Sequence, residues 1–436
     1  FPQGKPVSTV AKGLFSLELK RQGFGVFLSA KGWYDQELED GRRPYGNTPN
    51  RFAQNVPLSD SGFDANARFT NFLVNEANVF GNFALGDSTT LETRVGRQTM
   101  QWGAARMTGG GVNTVTPLDL PGMLRPGALP DEIRLPLGMA YARLNLSKET
   151  KFEAWIPYEF RSTVLPPCGT FYASNSFAPQ GCNYVSVLGA AGVNDPIALS
   201  TGRFPKRDAD VLARDSGQFG LSVAHHFTSI NSHVQAYLVR HHSLLPFARV
   251  INANINGGYG DLPSLTRLTD PNGLKYAMTF PEHIHMAGLT AKIGIAPATQ
   301  VYTEIAYRPD QPLSLNLSDA LAAFVQRTPN SALNLAKGTN AIPPGGIFEA
   351  YDRFKVTTLI VGVDKAFPGL AASQQVTLLT ELGLSHVSGL PDPGRLRYGR
   401  PEEYGTAQVA SGAPCVDNTV AKKSCALDGF VTAKAW

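Results

Sequence analysis

The spacing between strands constrains this chain more than any other feature of its sequence. Reading for period-two alternation of apolar and polar residues marks thirteen strand segments. They lie at about 12–20, 23–34, 66–85, 89–102, 138–146, 151–160, 217–227, 232–242, 284–295, 300–308, 352–366, 375–387 and 429–436. In the first, Phe15, Leu17 and Leu19 alternate with Ser16, Glu18 and Lys20. In the fourth, Leu91, Thr93 and Val95 alternate with Thr90, Glu92 and Arg94. After every odd-numbered strand the link is short, as in KRQGF, LGDST, LSKET, FTSINS, IAPATQ and FPGLAASQ. After every even-numbered strand it is long, running about 35–65, 103–137, 161–216, 243–283, 309–351 and 388–428. Structureless loops of such length are uncommon inside a compact soluble domain. A soluble sandwich or propeller has no reason to sort loop length by parity. An outer-membrane barrel does, with short periplasmic turns and long extracellular loops.

Composition fits the same answer. Hydrophobic residues make up 43% of the 436 and charged residues 17%, below the globular norm of roughly 25% charged. Gly (43) and Pro (31) are abundant enough to leave little room for long helices. The best helical candidate is SDALAAFVQR (318–327), with Ser318 at its N-cap. No run of 18 apolar residues occurs, so no helix is expected to cross a bilayer. A barrel strand shows one face to lipid and the other to a polar lumen, which gives alternation without apolar runs. Aromatic residues near strand ends (Trp33, Tyr34, Trp102, Tyr158, Phe160, Tyr307, Phe367, Trp436) suit interfacial girdles, or ordinary strand propensity. A net charge of +4 without a Lys/Arg block excludes nucleic acid as an expected partner.

The expected fold is therefore all-β: one transmembrane antiparallel barrel over 1–436, of at least 14 strands when complete and up to 16–18. Bacterial barrels usually start and end in the periplasm with an even strand count. Thirteen strands beginning on the outer side imply a missing N-terminal strand. The chain opens on Phe1 without a leader, as expected of a processed or partial sequence from an exported protein. Four cysteines fall in two close pairs, Cys168/Cys182 and Cys415/Cys425, each in a Gly/Pro/Asn-rich stretch. Neither pair has C-x-x-C spacing. Two disulfides stapling loops in an oxidising compartment are expected; the other reading is four free thiols.

From about 66 to 245 the chain carries VGRQTMQWG (95–103), GGGVNTVTPLDL (109–120), RPGALPDEIRLP (125–136), DSGQFGLSV (215–223) and HHSLLPFA (241–248). In these motifs and their order it closely resembles a family of large Gram-negative outer-membrane proteins long labelled only as a domain of unknown function. The hairpin at 12–34 and the loop cysteines also look like that family. Its members are longer, which implies further strands after 426–436. They are often encoded near an RND-type transporter and a second periplasmic or outer-membrane protein. The resemblance implies passage of hydrophobic or amphipathic molecules across the outer membrane, and no catalytic residue carries over from it.

The residues offer one strong candidate site. Segment 103–136 combines GGG with several prolines and the charges Arg106, Asp119, Arg125, Asp131, Glu132 and Arg134. It suits a fixed irregular path folded into the lumen as a constriction; the bland reading is an exposed loop. Glu92, Arg94 and Gln98 share a strand face opposite Leu91 and Val95. They are candidate lumen residues, for selectivity or simply as solvated wall, because a charge facing lipid at the midplane costs roughly 2–4 kcal/mol. Lys292, Glu304, Arg308 and Glu381 fall on the same kind of face. His283 and His285 lie two apart on one strand face, without a third ligand at metal-site spacing. No G-x-S-x-G, P-loop or H-E-x-x-H occurs. The apolar loop stretches LPSLTRL (262–268) and LSLNLSDALAAFVQ (313–326) suit either a greasy mouth for hydrophobic solutes or packing between loops.

The expected function is an outer-membrane channel or facilitator for passive passage of small hydrophobic or amphipathic compounds, with no enzyme activity, metal or cofactor. Its expected partners are outer-membrane lipid and lipopolysaccharide, the hydrophobic solute, and a periplasmic protein or lipoprotein. The alternatives are an envelope component that handles lipids or other cargo without transporting them, and a general diffusion porin.

Overall fold

The alternating segments form one antiparallel meander of thirteen strands in which each pairs with the next in chain order. The computed structural model describes residues 4–47, 50–173, 177–185, 204–252, 273–324, 330–369, 373–392, 395–399 and 430–434. The strands are β1 (Val10–Arg21), β2 (Phe24–Asp35), β3 (Thr70–Ala84), β4 (Thr90–Gln98), β5 (Leu137–Asn145), β6 (Thr150–Pro157) and β7 (Phe219–Phe227). They continue with β8 (Ser232–His241), β9 (Ile284–Ala296), β10 (Thr299–Ser314), β11 (Tyr351–Pro368), β12 (Gln375–Ser388) and β13 (Phe430–Lys434). The sheet is open: among the described residues β1 and β13 are not paired with each other.

Burial along the strands is inverted relative to a soluble protein. On β7, Leu221 is 49% exposed and Val223 is exposed, while Gly220, Ser222 and Ala224 between them are buried. On β8, Leu238 is 59% exposed between buried Tyr237 and Val239. On β10, Ile305 and Tyr307 face outward while Glu304 and Arg308 are buried. A face of alternating exposed apolar side chains backed by a face of buried polar ones is what lipid on one side and protein on the other requires. No helix among the described residues is long and apolar enough to cross a membrane. Between its two edges the ladder pairs each strand with both neighbours, with registers interrupted at Ser29/Ala30, at Arg308/Gln311 and at Gly294/Ala296. Each bulge resets which residues share a face.

The long connections leave from one end of the sheet, and their described parts pack on one another. Four short strands, in the order Ile347–Glu349, Phe247–Ile251, Lys275–Thr279 and Lys206–Arg207, form a second small sheet there. The helix Leu317–Phe324 starts earlier than its sequence suggests. Asn316, and not Ser318, stands at the N-cap, its side-chain oxygen accepting from the Asp319 N–H at 3.4 Å. Its Ala320, Ala323 and Phe324 are buried with Leu274, Leu315, Leu333 and Tyr398 in a loop core. The described part of stretch 313–326, residues 313–324, therefore packs between loops and does not form a greasy mouth; 325–326 and 262–268 lie outside the described residues. A second loop core gathers Tyr45, Phe63, Phe69, Leu135 and Val164 around the Cys168–Cys182 disulfide, whose Cα atoms are 5.4 Å apart. Cys415 and Cys425 lie outside the described residues.

Of the aromatic residues suited to girdles, Tyr34, Tyr158 and Tyr307 are exposed, whereas Trp33 and Trp102 are buried. Trp33 donates to the Arg68 carbonyl at 2.8 Å. Trp102 lies past the end of β4, where the chain leaves the sheet at Thr99 and turns under the concave face.

The inverted faces set an expectation for charge. Leu238→Arg, on the outer face of β8, should cost roughly 2–4 kcal/mol, and Ser16→Arg, on the opposite face of β1, less than about 0.5 kcal/mol. Urea titration of protein refolded into lipid bilayers measures both. Equal costs would contradict the assignment of faces.

Candidate functional site

The concave face is occupied by the connection between β4 and β5. This segment bonds to β1 and β2 at one end of the sheet and to β10 and β12 near the other, so the sheet curls around it.

Its first half, 99–116, crosses to the far wall and is held there by two carboxylates. Glu304 on β10 is 0% exposed and accepts from the backbone N–H groups of Ala104 (2.5 Å), Ala105 (3.3 Å) and Val112 (2.5 Å). Glu381 on β12 accepts from those of Arg106 (2.6 Å), Met107 (2.9 Å) and Thr108 (2.7 Å), and from the Tyr302 hydroxyl at 2.6 Å. Successive backbone N–H groups converging on one anion form a nest. Arg308 supplies the opposite sign, donating to the carbonyls of Gly110 (2.7 Å) and Gly111 (2.6 Å) and to Thr114 Oγ1 (2.6 Å). An irregular segment inside a barrel cannot pair with a ladder, so wall side chains must satisfy its backbone.

Glycine permits the approach at two positions. A Cβ on Gly111 would stand 2.0 Å from Glu304 Oε1, and one on Gly383 of β12 would stand 2.4 Å from Thr108 Cγ2. Apolar contacts complete the seat. Trp102, Val112 and Val115 are buried against Met139, Trp155, Tyr237, Val239 and Met286 of the wall. Trp102 packs edge-on to Trp155 at a centroid distance of 5.9 Å, and the Tyr237 hydroxyl accepts from Gly103 N at 3.3 Å.

The second half, 117–136, lies against β1 and β2. Asp119, 0% exposed, accepts from Lys31 Nζ at 2.8 Å and caps the helix Leu120–Leu124 through Gly122 N at 2.7 Å. Lys31 also donates to the Glu132 carbonyl at 3.1 Å, and Lys12 pairs with the Glu132 carboxylate at 2.7 Å. The Arg125 guanidinium stacks 3.8 Å over Trp33 and donates to the Asn66 carbonyl; burial lowers its pKa below the usual arginine value, opposed by the Asp119 charge. A buried pair such as Lys31–Asp119 is costly to break, because either partner alone is an uncompensated charge. Backbone bonds between Leu118, Leu120 and Val164 sew this half to the disulfide-stapled connection.

The sequence candidates thus separate. Asp119, Arg125 and Glu132 meet around Lys31 and Trp33. Arg106 pairs with Asp364 of β11 at 2.6 Å. Asp131 is exposed, and Arg134 is half-buried with its backbone bridged to Leu118. Glu92 pairs with Arg143 at 3.3 Å, Gln98 donates to the Met139 carbonyl at 3.1 Å, and Arg94 lies 6.0 Å from the Tyr141 ring. His283 and His285 do not act together, the first bonded to Arg240 and Arg214, the second to Asp310. Among the described residues no group of three or more metal-ligating side chains comes together. Parity in the sequence placed Glu304, Arg308 and Glu381 on a polar face; their grip on 104–112 has no local signal.

A family model described as a protein of unknown function (DUF1302) matches residues 1–436. No curated protein matches the chain. Among solved structures, the outer membrane channel DcaP of Acinetobacter baumannii is similar over 86% of this chain and 66% of its own, at 7% identity and a TM-score of 0.33. This chain therefore spans just under two-thirds of the length of DcaP. OmpF of Salmonella typhi in complex with daunomycin is similar over 90% of this chain and 81% of its own, at 9% identity and TM-score 0.29. OprB of Pseudomonas putida is similar over 83% and 78%, at 9% identity and TM-score 0.25.

The two carboxylates should govern how firmly 99–116 is held. Removing a carboxylate strands three N–H groups, at about 1–3 kcal/mol for each that stays buried. Glu304→Ala with Glu381→Ala should make trypsin cut after Arg106 about 10- to 100-fold faster, equivalent to about 1.4–2.7 kcal/mol. Unchanged cleavage would show that other contacts hold the segment.

Proposed function

The chain belongs to the DUF1302 family, and we propose that it forms a channel of the bacterial outer membrane for passive passage of small hydrophobic or amphipathic compounds. The observation that carries this reading is the seat of 99–136. A segment fixed across the concave face by Glu304, Glu381 and Arg308 narrows any path along it and selects by size and lining rather than leaving a wide aqueous pore. The outward apolar face of β7, β8 and β10 supports a place in the membrane. Apolar groups of the segment (Met100, Trp102) and charged groups of the wall (Arg94, Arg143) line one space, a surface suited to solutes with both characters. On this reading flux follows the solute gradient.

Proteoliposomes test this by comparing efflux of a small amphipathic alcohol with that of a pentose. The alcohol, corrected for leakage through protein-free vesicles, should pass at least about tenfold faster through the native chain. Glu304→Ala with Glu381→Ala should reduce that preference by widening the path. Equal rates through the native chain would replace this reading with a general diffusion pore.

A further inference from the structure

Between segment 99–103 and the short-turn end of the sheet the concave face holds a cavity of about 360 Å³. Its charged lining is unbalanced: Arg94, Arg143, Lys151 and Lys292 line it with Glu153, and Glu92 reaches Arg143 from beside it at 3.3 Å, so four cations meet two carboxylates. Glu153 is already saturated, accepting from Arg143 Nε at 2.9 Å, Lys151 Nζ at 3.1 Å and Trp102 Nε1 at 2.7 Å. Among the described residues Arg94 and Lys292 have no carboxylate within ion-pairing distance. Lys292 is half-buried, and a cation withdrawn from water without a counter-charge is unfavourable. An anion entering the cavity would relieve that cost. One wall is apolar: Met100, Trp102 and the Tyr141 ring border the same space, with the Arg94 and Arg143 guanidinium carbons 6.0 and 5.8 Å from the Tyr141 centroid.

We infer that this cavity binds a small organic anion, a monocarboxylate with an apolar body, its carboxylate toward Arg94 and its body against Trp102 and Tyr141. The guanidinium fork of Arg94 suits a planar carboxylate, and Lys292 adds to the positive field of the same cavity. The inference rests on the channel reading and names its substrate class: amphipathic solutes that are anionic.

Calorimetric titration of the full chain in detergent micelles with benzoate, benzamide and acetate tests it, each corrected for titration into protein-free micelles. Benzoate should bind at one site at least about tenfold tighter than benzamide, which lacks the charge, and than acetate, which lacks the body. Arg94→Gln with Lys292→Gln should weaken benzoate about tenfold, and Lys148→Gln in an exposed turn should leave it unchanged. Comparing the three probes on the native chain needs no variant, so a misfolded double variant leaves the test intact. Equal affinity for benzoate and benzamide, or for benzoate and acetate, overturns the inference, as does undiminished binding by a folded double variant. Benzoate binding without solute efflux keeps the site and removes the channel. Efflux without benzoate binding keeps the channel and removes the site.

Discussion

In hydrocarbon no water is present to satisfy a peptide group, so each backbone N–H and C=O must find its partner within the protein. Every other property of this chain follows from that requirement. It forces the chain into a continuous ladder in which each strand pairs with the next. It also turns the usual burial pattern inside out, with Leu221 and Leu238 on the exposed face and Ser222, Glu304 and Arg308 on the covered one. A polar interior follows, and with it the means to hold charged groups away from both lipid and bulk water.

Those charged groups do work that a ladder cannot. Segment 99–116 follows an irregular path, so its peptide groups have no strand to pair with. Two carboxylates from β10 and β12 collect six of its N–H groups, and Arg308 collects two of its carbonyls. Ionised acceptors and donors make hydrogen bonds roughly twice as strong as neutral ones, so a few side chains fix a long segment. Lys31 and Asp119 do the same for its second half against β2. On the proposed reading, the interactions that satisfy this backbone also set the width of the path past it.

The strands were legible because their information is local. Alternation over a few residues locates β7 or β12 without any knowledge of neighbours, and the parity of Glu92, Arg94 and Gln98 follows from the pleat alone. Segment 103–136 stood out for its glycines, prolines and charges, and GGG marks where Gly111 meets Glu304. The partner could not be read, because Glu304 lies 192 residues beyond Val112 and Glu381 lies 273 beyond Thr108. Trp33 and Trp102 misled for a related reason. Tryptophan near a strand end is equally at home in a girdle or in a core, and only the position of the inward segment decides between them. The apolar run at 313–324 likewise found its cover in other loops, among them Leu274 and Tyr398, which no local pattern reveals.

On the proposed reading 99–136, held by Glu304 and Glu381, narrows the lumen. Single-channel recording of the purified full-length protein in planar bilayers, before and after the paired Glu→Ala replacements, measures that width. Silence or only small steps are expected from the native protein, and larger, longer steps once the carboxylates are gone. Large steps from the native protein, unchanged by their removal, would contradict it.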